Sequence, residues 1–282
     1  MFALHVTLFA ATVALSCAAA CMSILSLHSD RDAHGRAAKR LFYAVLALFC
    51  ATGLSRVLCM PGGGLVGMIT GIWGYFYLLA ASLLAMLLYL RLGRWKNHWK
   101  AMSPVGLLFV AVILALSAPF VASQRAMRAD LVHGLLPFHV ALTVAGELFF
   151  FFCFIGALLY IVMARQLKKK GSMKFIYRLP NLEAIERFNA WSIRRALVFL
   201  SAGLLVGVVQ LWISYGAVFL FSPKEIVIYL SWVCIAALFL AQRYRVVGSY
   251  ALSRVTLVCF AVILTVFMAT NIAVKTGFHS FR

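Results

Sequence analysis

The sequence predicts an all-α, polytopic membrane protein of about eight transmembrane helices with both termini on the outer side. Three observations carry that expectation. Of its 282 residues, 65% are hydrophobic and 12% charged, and the mean hydropathy is +0.99, whereas a soluble domain carries charge on roughly a quarter of its residues. Several apolar runs reach the roughly 20 residues that cross a bilayer as a helix. Of the 26 Lys and Arg, 20 fall in the connections after the first, third, fifth and seventh runs. Basic connections stay in the cytoplasm, which turns both termini outward.

The first span covers residues 2–27. Small residues (CAAAC) follow its apolar stretch, as at a signal-peptide cleavage site. No basic segment precedes it, however, and the run is too long for such a peptide. Spans at 38–59, 65–91 and 103–122 complete an N-terminal four-helix portion, residues 1–130. Residues 131–282 form a second four-helix core with spans at 137–164, 191–219, 225–242 and 251–275.

The longest cytoplasmic connection, ARQLKKKGSMKFIYRLPNLEAIERFNAWSIRRA, has a pattern of its own. Asn181 suits a helix cap, and Glu183 and Glu186 follow near the positive end of the dipole. Leu182, Ile185 and Phe188 then recur at helical spacing. The pattern predicts an amphipathic segment at the cytoplasmic interface, ahead of span six. Such a segment either rests on headgroups or offers a docking face to a cytoplasmic partner.

The net charge of +19 does not indicate nucleic acid, because the basic residues sit in short segments between apolar runs. Membrane lipids with anionic headgroups are the partners that such clusters imply. The seven cysteines (Cys17, Cys21, Cys50, Cys59, Cys153, Cys234 and Cys259) lie mostly inside apolar runs and form no C-x-x-C pair. They read as small buried hydrophobes. G-x-S-x-G and phosphate-loop motifs are absent, no carboxylate pair shares a site, and no catalytic residue is assigned.

Polar groups placed inside the spans are the candidates for function. His28, His34 and His98 fall in cytoplasmic connections, whereas His5, His133, His139 and His279 fall on or near the outer side. His139 follows Pro137, a residue favoured in a first helical turn. The dipole there favours a neutral imidazole, the form that ligates metal. His279 follows Gly277 in KTGFHSFR, just past the last span. Two histidines from different helices at one membrane level can hold a haem iron axially, or each can simply hydrogen-bond at the interface. Their spacing does not suit zinc.

Glu147 lies roughly 12 Å along the helix from His139 and about 80° around it. A carboxyl at that depth is protonated, paired with a neighbouring helix or part of a proton path. A proton path would suit a coupled transporter, but no inverted repeat or pair of interrupted helices supports that reading.

The order of landmarks over residues 131–282 resembles the CcsA/ResC/HemX-type cytochrome c assembly family. LLPFHVALTVAGELFFFFCFIGALLYI opens on the outer histidine, and RLPNLEAIERFN and SPKEIVIYLSWVCIAALFLAQRYRVVGS follow before the terminal TGFHSF. The resemblance implies that His139 and His279 are the two outer histidines that hold haem, here non-covalent haem b. It also implies a tryptophan-rich segment between them, ending in W-x-W-D-P-K-E.

The matching stretch is SYGAVFLFSPKE, where Tyr215, Phe219 and Phe221 stand at tryptophan positions and Ser222 at the aspartate. Gly216, Pro223, Lys224 and Glu225 remain. The aromatic rings can still stack on a porphyrin, and Lys224 can pair with a propionate. The lost indole N–H groups and aspartate, with no inner histidine pair, resemble the HemX-like branch more than a complete haem-attaching synthetase. Expected partners are then haem, apocytochrome c and an assembly partner protein. Alternatively the protein is a scaffold for a tetrapyrrole-synthesis enzyme, glutamyl-tRNA reductase, in the bacterial cytoplasmic membrane.

Overall fold

Runs of Leu, Ile, Phe, Val and Ala in hydrocarbon must satisfy their backbone groups within the segment, and the helix does so. A computed structural model describes residues 2–28, 32–59, 72–93, 99–121, 135–168, 180–216, 218–219 and 223–273. Among the described residues the regular structure is helical: α1 (Phe2–His28), α2 (Asp32–Cys59), α3 (Ile72–Leu92), α4 (Trp99–Ser117), a 3-10 turn at Ala118–Phe120, α5 (Leu136–Lys168), α6 (Leu182–Tyr215), α7 (Pro223–Arg243) and α8 (Ser249–Ala273). Seven of the eight α-helices are long and apolar enough to cross a membrane, and α3 adds the shorter apolar stretch Phe76–Leu92. The protein is therefore an all-α, multi-pass membrane protein.

The helices fall into two compact units, one holding α1–α4 and the other α5–α8. In the first unit α1 packs along α2 and α4, and α3 packs along α4. Its core is large and closed: Trp73, Phe42, Leu83, Leu87, Met102 and Leu114 are all essentially buried. Gly106 admits the Leu87 side chain, whose Cδ2 would lie 2.9 Å from any added Cβ. In the second unit α5 runs along α6, α8 packs on α5, and α7 packs on α6 and α8. Phe150, Ile193, Leu200, Ile235 and Leu238 form its centre, and Phe154 stacks on Phe260 with centroids 4.4 Å apart. Large apolar side chains such as Leu205, Ile213, Leu230 and Val258 are exposed, which suits contact with lipid tails.

Residues 182–190, expected as a separate interfacial segment, are instead the first turns of the 34-residue helix α6. Two local features explain the continuity. Asn181 Oδ1 accepts the Ala184 N–H at 2.8 Å, so the helix starts at its cap. No Gly or Pro follows until Gly203. Ile185 and Phe188 are fully buried, Phe188 packing edge-on to Phe152 at 6.4 Å. The apolar face thus belongs to the unit's own core. At the other end Gly216 takes the left-handed conformation (φ 65°), and its N–H bonds back to the Trp212 carbonyl, a helix stop that glycine makes without strain.

Candidate functional site

The start of α5 lies against the later half of α6, and small residues allow the contact. Gly203 and Gly207 repeat at four-residue spacing, the pattern by which membrane helices approach closely. A Cβ on Gly203 would come 2.7 Å from Thr143 Cγ2. The Leu135 N–H donates to Gln210 Oε1 at 3.0 Å. One of the orphan donors at the entry to α5 is thereby satisfied from α6.

His139 is buried, with 7% of its surface exposed. Its Nδ1 lies 2.7 Å from the Gly203 carbonyl oxygen. A carbonyl only accepts, so Nδ1 carries a proton, and in the neutral ring Nε2 holds the lone pair. The ring rests over Gly207, where a Cβ would come 2.6 Å from Nδ1 and 2.7 Å from Cε1. Thr143 Oγ1 donates to the His139 carbonyl at 2.9 Å, which holds that turn of α5.

His139, Gly207, Leu211, Glu225, Ile228 and Tyr229 line a common recess. It is narrow, about 30 Å³, room for a water molecule or two. Glu225 is buried in the first turn of α7. Tyr229 packs against Phe219, with ring centroids 5.1 Å apart. An imidazole, a carboxyl and a phenol thus share one mostly apolar hollow. That arrangement can present a neutral nitrogen ligand and place an acidic group beside it.

Of the residues proposed from sequence, the structure brings His139 and Glu225 together, with Phe219 adjoining through Tyr229. Glu147 is half-buried two turns along α5 and is not among the described residues lining the recess. Thr143 spends its hydroxyl on carbonyls of its own helix. His5 belongs to the first unit, where it is fully buried beside Ser55 and Trp73. His133, Phe221 and His279, and the side chains of Tyr215 and Lys224, lie outside the described residues.

Gly203, Gly207, Gln210 and Tyr229 escaped the sequence reading. A glutamine inside VVQLW and the GLLVG repeat were the signals available. Among the described residues no cluster of three or more His, Cys, Asp or Glu suits a metal ion held by protein alone.

Fold and site together define a polytopic membrane protein with a backbone-anchored histidine opening on a recess in its second helical unit. A family model described as Cytochrome C assembly protein matches residues 69–277, about three quarters of the chain. The chain belongs to that family, which gives it a role in the biogenesis of c-type cytochromes. No curated relative matches the sequence. His139 and Glu225 fall within the matched residues, whereas His5 precedes them and His279 follows them by two positions.

Proposed function

We propose that this protein holds haem b near the outer face of the bacterial cytoplasmic membrane during cytochrome c maturation, with His139 as an axial ligand. The observation that carries the reading is the 2.7 Å bond from His139 Nδ1 to the Gly203 carbonyl. Metal-bound histidines are oriented by such a bond at the second nitrogen, which fixes the tautomer and strengthens the ligand. The donor set therefore fits an iron reached through Nε2. The recess that His139 lines is too small for a porphyrin, so ligation would require it to widen. When bound, haem is the cargo that becomes attached to an apocytochrome.

The chain's own residues bind and orient that cargo. His279 would be the second residue to hold the iron in this reading. Tyr215, Phe219 and Phe221 would offer aromatic faces to the porphyrin, and Lys224 would pair with a propionate. Glu225 and Tyr229 border His139 within the recess and set the polarity next to the ligand. The eight α-helices among the described residues and the reduced aromatic motif support a HemX-like branch in this reading.

The test is an absorption spectrum of the detergent-purified protein supplied with haem. A Soret band in the wild type that is lost in the His139→Ala, His279→Ala double variant supports ligation. A wild type that stays colourless after haem is added contradicts it.

A further inference from the structure

We propose that Arg165, Lys168 and Arg254, gathered round Tyr250 where α5 ends and α8 begins, bind the headgroup phosphate of an anionic phospholipid. Its acyl chain would run along Val258 and Val262 of α8. The site lies within the second unit and is independent of the haem reading.

Local bonds bring the two helix ends together. Tyr160 of α5 donates its hydroxyl proton to Glu186 of α6 and accepts a bond from Ser249, the first residue of α8. One residue on, the Tyr250 hydroxyl is hydrogen-bonded by Arg165. Lys168 Nζ stands 5.7 Å from the centre of the Tyr250 ring, within cation–π reach. Arg254 follows Tyr250 by four residues and so shares its face of α8, and its charge acts on the same phenol. Three cations from two helices converge on one side chain.

Among the described residues no carboxylate pairs with any of the three. Glu183 is paired with Arg187 at 2.6 Å, and Glu186 is engaged by Tyr160. The whole chain has 7 Asp and Glu against 26 Lys and Arg, and Lys169 and Lys170 follow Lys168 directly. Like charges held this close repel, so the cluster calls for an anion from outside. The dipole of α5 accounts for Arg165 and Lys168 in its last turn. It does not account for Arg254, the sixth residue of α8, near that helix's positive end.

The donors suit a phosphate. Arg165 has five N–H groups, so its bond to Tyr250 leaves most of the fork for phosphate oxygens, a match that guanidinium makes well. The position suits a lipid. The apolar spans Phe138–Lys168 and Ser249–Val266 reach this level, which places the cations where headgroups lie. Four-residue steps from Arg254 lead to Val258 and Val262, both exposed. Charge therefore passes into an apolar track on the same helix face, as an amphipathic ligand requires and a free phosphate does not.

The experiment titrates the full-length protein in neutral detergent with short-chain phosphatidylglycerol and counts bound lipid by native mass spectrometry. The wild type is expected to bind it in preference to phosphatidylcholine and to keep it against an equal concentration of inorganic phosphate. The Arg165→Gln, Lys168→Gln, Arg254→Gln triple variant is expected to bind about 100-fold more weakly, about fivefold for each basic residue. The Arg36→Gln, Lys39→Gln, Arg40→Gln triple variant removes the same charge from exposed positions of α2 and is expected to bind as the wild type does. Equal losses in the two triple variants overturn the site, because general attraction to basic residues then explains the binding. Displacement by inorganic phosphate, or equal binding of phosphatidylcholine, overturns the lipid. Tyr250→Phe leaves every charge in place and removes the hydroxyl that holds Arg165. It is expected to weaken binding severalfold, and unaltered binding overturns the arrangement round the phenol.

Discussion

Each four-helix unit buries a histidine near a helix start, and the two units treat it in opposite ways. In the first, His5 Nδ1 lies 2.9 Å from Ser55 Oγ, and that hydroxyl donates to the Thr52 carbonyl at 2.8 Å. Trp73 stands edge-on at 5.5 Å, with the Arg56 guanidinium over the indole at 4.8 Å. His5 has no exposed surface, and its Nε2 meets no hydrogen-bond partner among the described residues. In the second unit, His139 is held by a backbone carbonyl and opens on a recess that it shares with Glu225 and Tyr229.

Both rings are set with the proton on Nδ1, since Ser55 has already given its hydroxyl proton away. The difference lies in the surroundings: His5 has no exposed surface and packs beside Trp73, whereas His139 lines a recess with Glu225 and Tyr229. A buried histidine by itself therefore says little. In the proposed reading, it is the recess beside the ring that marks His139, and not His5, as the ligand.

The largest effect expected from that contrast is on haem. His139→Ala should lower haem affinity by more than the roughly 100-fold that outer-shell changes reach, whereas His5→Ala should leave it unchanged. A haem titration followed by absorbance checks both, and equal losses would break the comparison.

Next comes the core that the second unit builds from its own amphipathic segment. Phe188→Ala should cost about 3–5 kcal/mol by opening a cavity against Phe152, read by denaturant unfolding in detergent. A near-neutral result would return this face to the surface, where a cytoplasmic partner can reach it.

Ser55→Ala should cost about 0.5–1.5 kcal/mol, one lost buried hydrogen bond, because the His5 ring keeps its bond to the Thr52 backbone. The same unfolding measurement reads it, with haem binding unchanged. Asn181→Ala should cost about 1 kcal/mol as a lost helix cap, visible as a small fall in unfolding midpoint.

Much of the fold was legible because its determinants are local. Apolar runs gave the spans, Asn181 the start of α6, and Gly216 follows its end. Residues 182–190 were misplaced because charge on one face reads alike in a headgroup-anchored helix and in the first turns of a span. Only the burial of Ile185 and Phe188 against Phe152 separates the two. His139 was legible from its place after Pro137. Its orientation was not, because the Gly203 carbonyl lies 64 residues away in sequence and becomes a partner only when α5 and α6 meet in register. Gly207 and Gln210 act through the same long-range contact. No periodicity within one helix announces them.

The central claim is that His139 ligates haem iron through Nε2. Low-temperature electron paramagnetic resonance of the ferric, haem-loaded protein tests it most directly. The account predicts a low-spin signal of two-imidazole type that turns high-spin in His139→Ala and stays low-spin in His5→Ala. A wild-type signal that is high-spin, or one indifferent to His139, would contradict it.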